Sequence, residues 1–314
     1  MSATHPRLAQ LGPGLEAYGL EALSLEALTQ GTFCEAYKVK TRTGTFAARL
    51  RALEAQPEEV AFARKWAQTV AAEVPVPVPL APIGGEVPLC EDRCLDIAPY
   101  VASNKAAEPG PNAWTTVGAW LGRMHRLGQG LADAAPTALD YGNHPHEALF
   151  GRYLEQARVG CRGKDELALM RRADAAAERV RQAVLPLLPA LPVGVVHGDY
   201  HFWNILYKDG APVAVIDLDF LQRGVLAHDL AYASHWLAAW GRRGGAWRDI
   251  RARYLGAYEE GRQQSLSPAE RASLPWLHAY SSIFFFVSKA RLSWRRVARD
   301  THDLSDAEGI LKSL

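Results

Sequence analysis

Hydrophobic positions alternate with a period of about two over residues 18–50 and follow helical spacing over much of the rest. Leu20, Leu23, Leu25 and Leu28 alternate loosely until Gly31 breaks the run. Tyr37-Lys38-Val39-Lys40 alternates up to a turn at Arg42-Thr43-Gly44, and Thr45–Leu50 resumes the pattern. Two such runs joined by a short glycine-containing turn predict a β-hairpin. At Pro57 the period changes. Proline at a first helical position gives up no hydrogen bond, and Glu58 and Glu59 suit the positive end of a helix. The helix is expected to run to about Glu73 and to bury residues among Val60, Phe62, Trp66 and Val70; the Val-Pro repeat from Val74 then forces an extended chain.

Short strands around a Gly84-Gly85 turn are expected over residues 80–101. Residues 102–111 are polar, with Gly and Pro, and read as a connector between an N-terminal lobe (1–101) and a C-terminal lobe (102–314). Helical spacing follows over about 112–128, 145–160, 164–188, 226–240, 244–264 and 268–298. Residues 193–219 interrupt it as strand, polar loop, a strand at Ile205-Leu206-Tyr207, a turn at Asp209-Gly210 and a strand over 213–216. A β-rich first third and a helical remainder with one embedded hairpin give an α+β class.

The chain has 314 residues, long enough for two domains or one large two-lobed one. Apolar residues at 48% and charged residues at 22% exclude disorder and a coiled coil. Thirty-five Lys and Arg against thirty-four Asp and Glu leave +1, so net charge recruits neither nucleic acid nor an anionic membrane. Cys34, Cys90, Cys94 and Cys161 are too few for a disulfide scaffold, and Cys90 with Cys94 lacks a second ligand pair for a metal. The N-terminus carries no signal-peptide pattern. The most apolar run, 283–287, is far short of the roughly 20 residues that span a bilayer. A soluble, cytoplasmic protein is expected.

The segment Val195-Val-His-Gly-Asp-Tyr-His-Phe-Trp-Asn-Ile-Leu-Tyr207, followed by Ala214-Val-Ile-Asp-Leu-Asp-Phe220, carries the chemistry. Its skeleton is His197-Gly198-Asp199, Asn204 five residues after Asp199, and Asp217 eighteen residues after it. Phosphoryl transfer needs a carboxylate to orient and deprotonate an acceptor hydroxyl, and an amide oxygen with a further carboxylate to hold Mg²⁺ on the phosphates. Asp199, Asn204 and Asp217 are those residue types, and hard oxygen donors suit Mg²⁺ rather than zinc. The apolar residues Ile205, Leu206, Val213, Val215 and Ile216 would anchor the hairpin and fix the polar groups between them.

This block resembles the Brenner-type motif of the aminoglycoside phosphotransferase/choline kinase family, a branch of the protein-kinase-like fold, and the order of parts resembles that family over roughly residues 18–300. The segment 117–127, Val-Gly-Ala-Trp-Leu-Gly-Arg-Met-His-Arg-Leu, is similar to the family's Leu-Gly-x-x-Leu-x-x-Leu-His helix. The resemblance implies a bilobal fold with ATP between a β-rich N-lobe and a mostly helical C-lobe. It implies Asp199 as catalytic base, His197 as a brace of the loop, and Asn204 and Asp217 as Mg²⁺ ligands. Asp219 either joins the metal ligands or faces water at a strand end. Asp229 in His228-Asp-Leu-Ala either ties down the catalytic loop from inside or is an ordinary helix-start acid.

On the nucleotide side the resemblance points to a loop at residues 29–37 with one glycine, Gly31, and with Cys34 where many relatives carry Asn. Arg49 stands where the family's phosphate-pairing lysine falls, with Glu58 or Glu59 as helix partner or as plain solvated acids. The segment Asp96-Ile-Ala-Pro-Tyr100-Val101 lies where a hinge would read the adenine edge through backbone groups, or is a strand end running into the connector. His125 is expected as a core histidine, and His144 and His146 as a polar loop rather than a metal site. Within the family the sequence looks closest to the bacterial stress-response kinase, spore-coat-protein-S-like and homoserine-kinase-type-II-like branches. The expected activity is Mg²⁺-assisted transfer of the γ-phosphoryl group of ATP to a small-molecule hydroxyl, with no nucleic-acid or membrane partner. The alternatives are a Ser/Thr protein kinase and a nucleotide-binding pseudokinase.

Overall fold

The computed structural model describes residues 7–30, 34–104, 109–110, 112–136, 147–241, 247–297 and 301–314. The chain opens with α1 (Leu8–Glu16), β1 (Ala22–Gln30), β2 (Glu35–Thr41), β3 (Thr45–Leu50), α2 (Pro57–Val70), β4 (Leu89–Cys90) and β5 (Arg93–Pro99). It continues through α3 (Ala113–Gly128), α4 (Glu147–Gly160), α5 (Lys164–Val184), β6 (Val193–Val196), β7 (Ile205–Lys208), β8 (Ala211–Val215) and β9 (Gln222–Val225). It closes with α6 (Leu226–Gly241), α7 (Trp247–Arg262), α8 (Pro268–Leu292), α9 (Trp294–Val297) and α10 (His302–Lys312). Two compact units emerge. One comprises Met1–Ala113, Ala134–Pro136 and Asn204–Leu221; the other comprises Trp114–Asp133, Thr137–Trp203 and Gln222–Leu314.

In the first unit the described strands form an antiparallel sheet in the order β1-β2-β3-β5-β4. The period-two residues Tyr37 and Val39 of β2, Ala48 and Leu50 of β3, and Leu95 and Ile97 of β5 are buried together with Leu11 and Leu15 of α1. The Thr41 hydroxyl accepts the N–H groups of Thr43 and Gly44 at 3.1 Å and closes the β2–β3 turn. A turn falls at Gly84-Gly85 as the sequence predicts, with the Gly85 N–H donating to the Pro82 carbonyl at 3.0 Å and Gly85 at φ 82°, but it precedes β4; β4 and β5 are joined at Glu91 and Asp92, both at positive φ. Helix α2 starts at Pro57 as expected, buries Val60, Phe62, Trp66 and Val70, and ends at Val70, ahead of Val74-Pro75. Burial pushes the Cys90 and Cys94 thiols up, in keeping with structural cysteines.

The hairpin β7–β8 belongs to this unit although it lies more than 100 residues downstream. Its turn uses Asp209 and Gly210, both at positive φ. The Val215 N–H donates to the Pro75 carbonyl at 2.9 Å and the Asn104 N–H to that of Tyr207 at 2.9 Å. At the open end the Ile216 N–H donates to the Asn204 carbonyl at 2.9 Å. That bond extends the pairing by one step, setting Asn204 opposite Ile216.

In the second unit α8 is the central helix, packed by α4, α5, α6 and α10. Ser267 caps it by accepting the Glu270 N–H, with Pro268 at the first position, and Ile283, Phe284, Phe286 and Val287 fill its buried stretch. The helix expected over 268–298 breaks at Ser293, which adopts an extended conformation. Two helices were not legible in the pattern. Helix α1 contains Gly12, Pro13 and Gly14, all poor helix formers, and is held by packing; α10 follows a break at Thr301. A two-stranded antiparallel ribbon, β6–β9, feeds the loop after Val196 on one side and α6 on the other. No described helix is long and apolar enough to cross a membrane.

Candidate functional site

The loop that carries His197-Gly198-Asp199 is fixed from inside the second unit. Asp229, on the first turn of α6, is fully buried. Its carboxylate accepts the His197 N–H at 2.6 Å and the Gly198 N–H at 3.0 Å. Gly198 has φ +79°, a conformation in which a side chain is strained, so both amides turn toward one carboxylate. His125 Nε2 stands 3.2 Å from the same carboxylate, and its Nδ1 stands 2.9 Å from the Tyr258 hydroxyl. Burial opposes the charge on Asp229, but the bonds from His125 and His197 outweigh it and hold the carboxyl below its ordinary value. His197 is itself buried, and its Nδ1 faces the Asp199 N–H at 3.4 Å. Tyr200 anchors the loop to α3 by donating to the Val117 carbonyl at 2.7 Å.

Asp199 is partly exposed. The Tyr232 hydroxyl donates to its Oδ1 at 2.5 Å, and His201 Nε2 lies 3.3 Å from the same oxygen. Burial works against the Asp199 charge; His201, Tyr232 and His197 together take the carboxyl down to about 2. The Tyr232 phenol is pushed well above its ordinary value by burial and by the carboxylate beside it. The motif reading did not single out Tyr232 or His201. Tyr232 stands at i+3 from Asp229 on α6, a spacing that puts both side chains on one face of the helix.

The first unit brings together a second set. Arg49 Nη2 donates to Asp217 Oδ1 at 2.9 Å and stands 2.9 Å from Asp219 Oδ1. Arg51 is fully buried, with Nη1 3.2 Å from Asp96 Oδ2 and Nε 3.1 Å from Asp219 Oδ1. Burial pushes the Asp219 carboxyl above its ordinary value; Arg49 and Arg51 pull the other way, and Asp217 adds to the rise. Asp217 sits in the left-handed region (φ 66°, ψ 70°), which Asp tolerates better than most residues. Asn204 is buried at the foot of β7. Arg51 escapes a motif reading because it lies outside the phosphotransferase skeleton, and Asp96 enters that reading only as the start of the hinge segment, not as its ion-pair partner.

The remaining candidates fall as follows. Glu59 caps its own helix, accepting the Gln56 N–H at 3.1 Å, and among the described residues Arg49 pairs with Asp217 and Asp219 rather than with either helix acid. Arg49 Nη2 also lies 3.6 Å from Cys34 Sγ. The Lys38 ammonium lies 4.7 Å from the centre of the Tyr100 ring, and the Tyr100 N–H donates to Thr45. Gly31, His144 and His146 lie outside the described residues.

Asn204, Asp217 and Asp219 each carry a side-chain oxygen of the hard type that a divalent cation such as Mg²⁺ takes. Asp219 Oδ1 is buried against the Arg49 and Arg51 guanidiniums, at 2.9 Å and 3.1 Å, so its charge is already offset in part by this chain's own cations. Among the described residues no three His, Cys, Asp or Glu side chains hold a metal by themselves.

Comparison with known proteins gives the family. A model described as the phosphotransferase enzyme family (APH) matches residues 24–267. The homoserine kinase of Caulobacter sp. (strain K31) is 27% identical over 266 residues, covering 83% of this chain and 79% of that one. The homoserine kinase of Gluconobacter oxydans (strain 621H) is 30% identical over 207 residues, covering 63% of this chain and 59% of that one. Among solved structures, an amicoumacin kinase in complex with AMP-PNP and Ca²⁺ superposes with TM-score 0.73 at 14% identity, covering 97% of this chain and 94% of the other. A microcompartment-associated aminopropanol kinase gives 0.69 at 18% identity, covering 98% and 95%. These likenesses show the protein-kinase-like fold. With the family model spanning most of its length, the chain belongs to the phosphotransferase enzyme family, as an enzyme of the kinase type.

Proposed function

We propose that this enzyme moves the γ-phosphoryl group of ATP to a hydroxyl of a small molecule, with Asp199 as the base. The observation that carries the reading is the state of Asp199: an ionised carboxylate, partly exposed, on a loop whose backbone is fixed by the buried Asp229. A carboxyl near 2 is a poor proton sink for a free alcohol. It suits a loose transition state, in which the acceptor oxygen bonds to phosphorus while its proton is still in place. Asp199 then orients the hydroxyl by accepting its hydrogen bond, and takes the proton as the new oxygen–phosphorus bond forms and the β–γ bridging bond breaks to release ADP.

Asn204 and Asp217, with Asp219 beside them, are the residues that would hold Mg²⁺, and the ion's contribution is to neutralise charge on the phosphates. Arg49 already supplies a cation to the two carboxylates, and its planar fork suits a phosphate as well. His197 braces the loop from its buried position. The two homoserine kinases nominate a small amino alcohol as acceptor, with L-homoserine as the first compound to test.

The test is label transfer from γ-labelled ATP with Mg²⁺ to L-homoserine, then to pooled metabolites in a desalted extract, with Asp199→Asn as control. Label in the small-molecule fraction with wild type alone supports the proposal. Label confined to protein redirects it to a protein acceptor, and equal transfer by Asp199→Asn removes Asp199 as the base.

A further inference from the structure

Asp199 Oδ1 is approached by two groups from different elements: the Tyr232 hydroxyl at 2.5 Å from α6, and His201 Nε2 at 3.3 Å from two residues along the loop. The other ring nitrogen of His201 is also engaged, because the Trp203 N–H donates to His201 Nδ1 at 3.1 Å. A backbone N–H pointing at Nδ1 requires a lone pair there. The ring proton therefore sits on Nε2, the atom that faces the carboxylate. The ring is held in that orientation by aromatic neighbours, Trp236 at 5.0 Å and Trp203 at 5.6 Å between centroids.

Both nitrogens thus have work that excludes other roles. Nδ1 cannot take a proton from an acceptor while it accepts the Trp203 amide. Nε2 offers a hydrogen and no lone pair. We propose that His201 is a positioning residue that acts through Asp199: as the neutral Nε2–H tautomer it holds Oδ1 jointly with Tyr232, fixing the plane of the carboxylate that meets the acceptor hydroxyl. The inference rests on the reading of Asp199 as the base. The 3.3 Å separation is long for an N–H···O bond, and such catalytic contacts commonly tighten once substrate is bound.

One arm of the test needs no acceptor. Protein labelled with ¹⁵N in its histidine rings is examined at pH 7.5, with the His201 signals assigned by their loss in His201→Gln. The expected result is a pyridine-like Nδ1 and a protonated Nε2 whose resonance moves in Asp199→Ala. An Nδ1–H tautomer, an imidazolium, or an Nε2 signal indifferent to Asp199→Ala overturns the proposal. The second arm is steady-state kinetics with Mg²⁺-ATP and L-homoserine. His201→Ala should lower kcat by about 10- to 100-fold, the worth of one hydrogen bond to a charged group, with the KM for ATP held within about twofold. Glutamine places an amide N–H near the position of Nε2, so His201→Gln should recover most of the loss, whereas His201→Asn, which mimics the Nδ1 side, should not. Full kcat in His201→Ala, or equal loss in His201→Gln, sinks the idea. A wild-type enzyme that phosphorylates no acceptor but shows the expected ring state overturns the proposed function and with it the positioning role, leaving only the His201–Asp199 contact, whereas turnover without the expected ring state overturns the positioning role alone.

Discussion

The carboxylate of Asp229 accepts the backbone N–H of His197 at 2.6 Å, across 32 residues of chain. A helix-start acid and a strand-end amide are thereby locked into one buried contact. The same carboxylate holds Gly198 and meets His125, so the polar groups of the loop base converge on a single anion with no exposed surface. Of the two readings open in the sequence, the structure shows the internal tether rather than a solvated first-turn acid.

Asp229→Asn should therefore be costly. The amide keeps one acceptor oxygen but turns an N–H₂ toward groups that donate. Breaking a buried, paired charge costs about 3–5 kcal/mol. Asp229 is depressed in the folded protein, so its stabilisation is fully present above the ordinary carboxyl range, near 3.9 in an unfolded chain, and is lost as pH falls through the lower folded value. Urea unfolding at neutral pH should show the full gap between wild type and Asp229→Asn, and the gap should close below about pH 4. A gap that persists unchanged in acid would assign the effect to packing alone.

Tyr232→Phe removes a donor from the charged form of Asp199, so the carboxyl should rise from its value of about 2. The wild-type kcat/KM profile should then show no acid limb from Asp199 above about pH 4, and the variant's limb should move to higher pH. An unchanged profile in Tyr232→Phe would separate the phenol from the carboxylate's acidity.

Two acid substitutions should fail in different ways. Asp199→Asn should lose about 10²- to 10⁴-fold in kcat while nucleotide affinity is retained. Asp217→Ala should weaken Mg²⁺-ATP binding itself, and it also strips Arg49 of an ion-pair partner at 2.9 Å. Calorimetric titration with a non-hydrolysable ATP analogue, with and without Mg²⁺, distinguishes the two; equal affinity in Asp217→Ala and wild type would remove Asp217 from the metal set.

The hairpin was legible because its signals are local: alternating apolar residues and an Asp209-Gly210 turn with both residues at positive φ. Helix α2 was legible from Pro57 and its acids. The partners of the functional groups were not. Arg49 meets Asp217 across 168 residues, and the nearer acids Glu58 and Glu59, which the family pattern suggests, are not its partners among the described residues. Tyr232 reaches Asp199 only because α6 returns to the loop, 33 residues on, whereas His201 lies two residues along the same loop and only its ring orientation was hidden. Spacing within an element survives in sequence; convergence between elements does not.

The α3–α7 crossing shows the same limit, and it yields the last prediction. Sequence resemblance marks residues 117–127 as a helix of the family but gives no reason for its glycines. In the structure a Cβ added at Gly118 would lie 2.6 Å from the Tyr254 carbonyl oxygen, one at Gly122 would overlap the Tyr258 carbonyl oxygen, and one at Gly261 would overlap that of Ala119. These neighbours are backbone, so no rotamer change relieves them, and the two helices must separate. Gly122→Ala should cost about 3 kcal/mol or more, the upper range for overpacking. Gly309, on α10 with nothing within 4 Å of an added Cβ, should instead gain about 0.5–1 kcal/mol as Ala, from helix propensity. Separation at Gly122 also strains the contact between His125 of α3 and Tyr258 of α7, and through His125 the carboxylate of Asp229. Gly122→Ala should therefore lower kcat as well as stability, at a temperature where the variant is still folded, while Gly309→Ala leaves kcat alone. Thermal unfolding alongside kcat for both variants decides the matter. A Gly122→Ala enzyme that is destabilised yet fully active would show that the loop does not depend on the helix crossing.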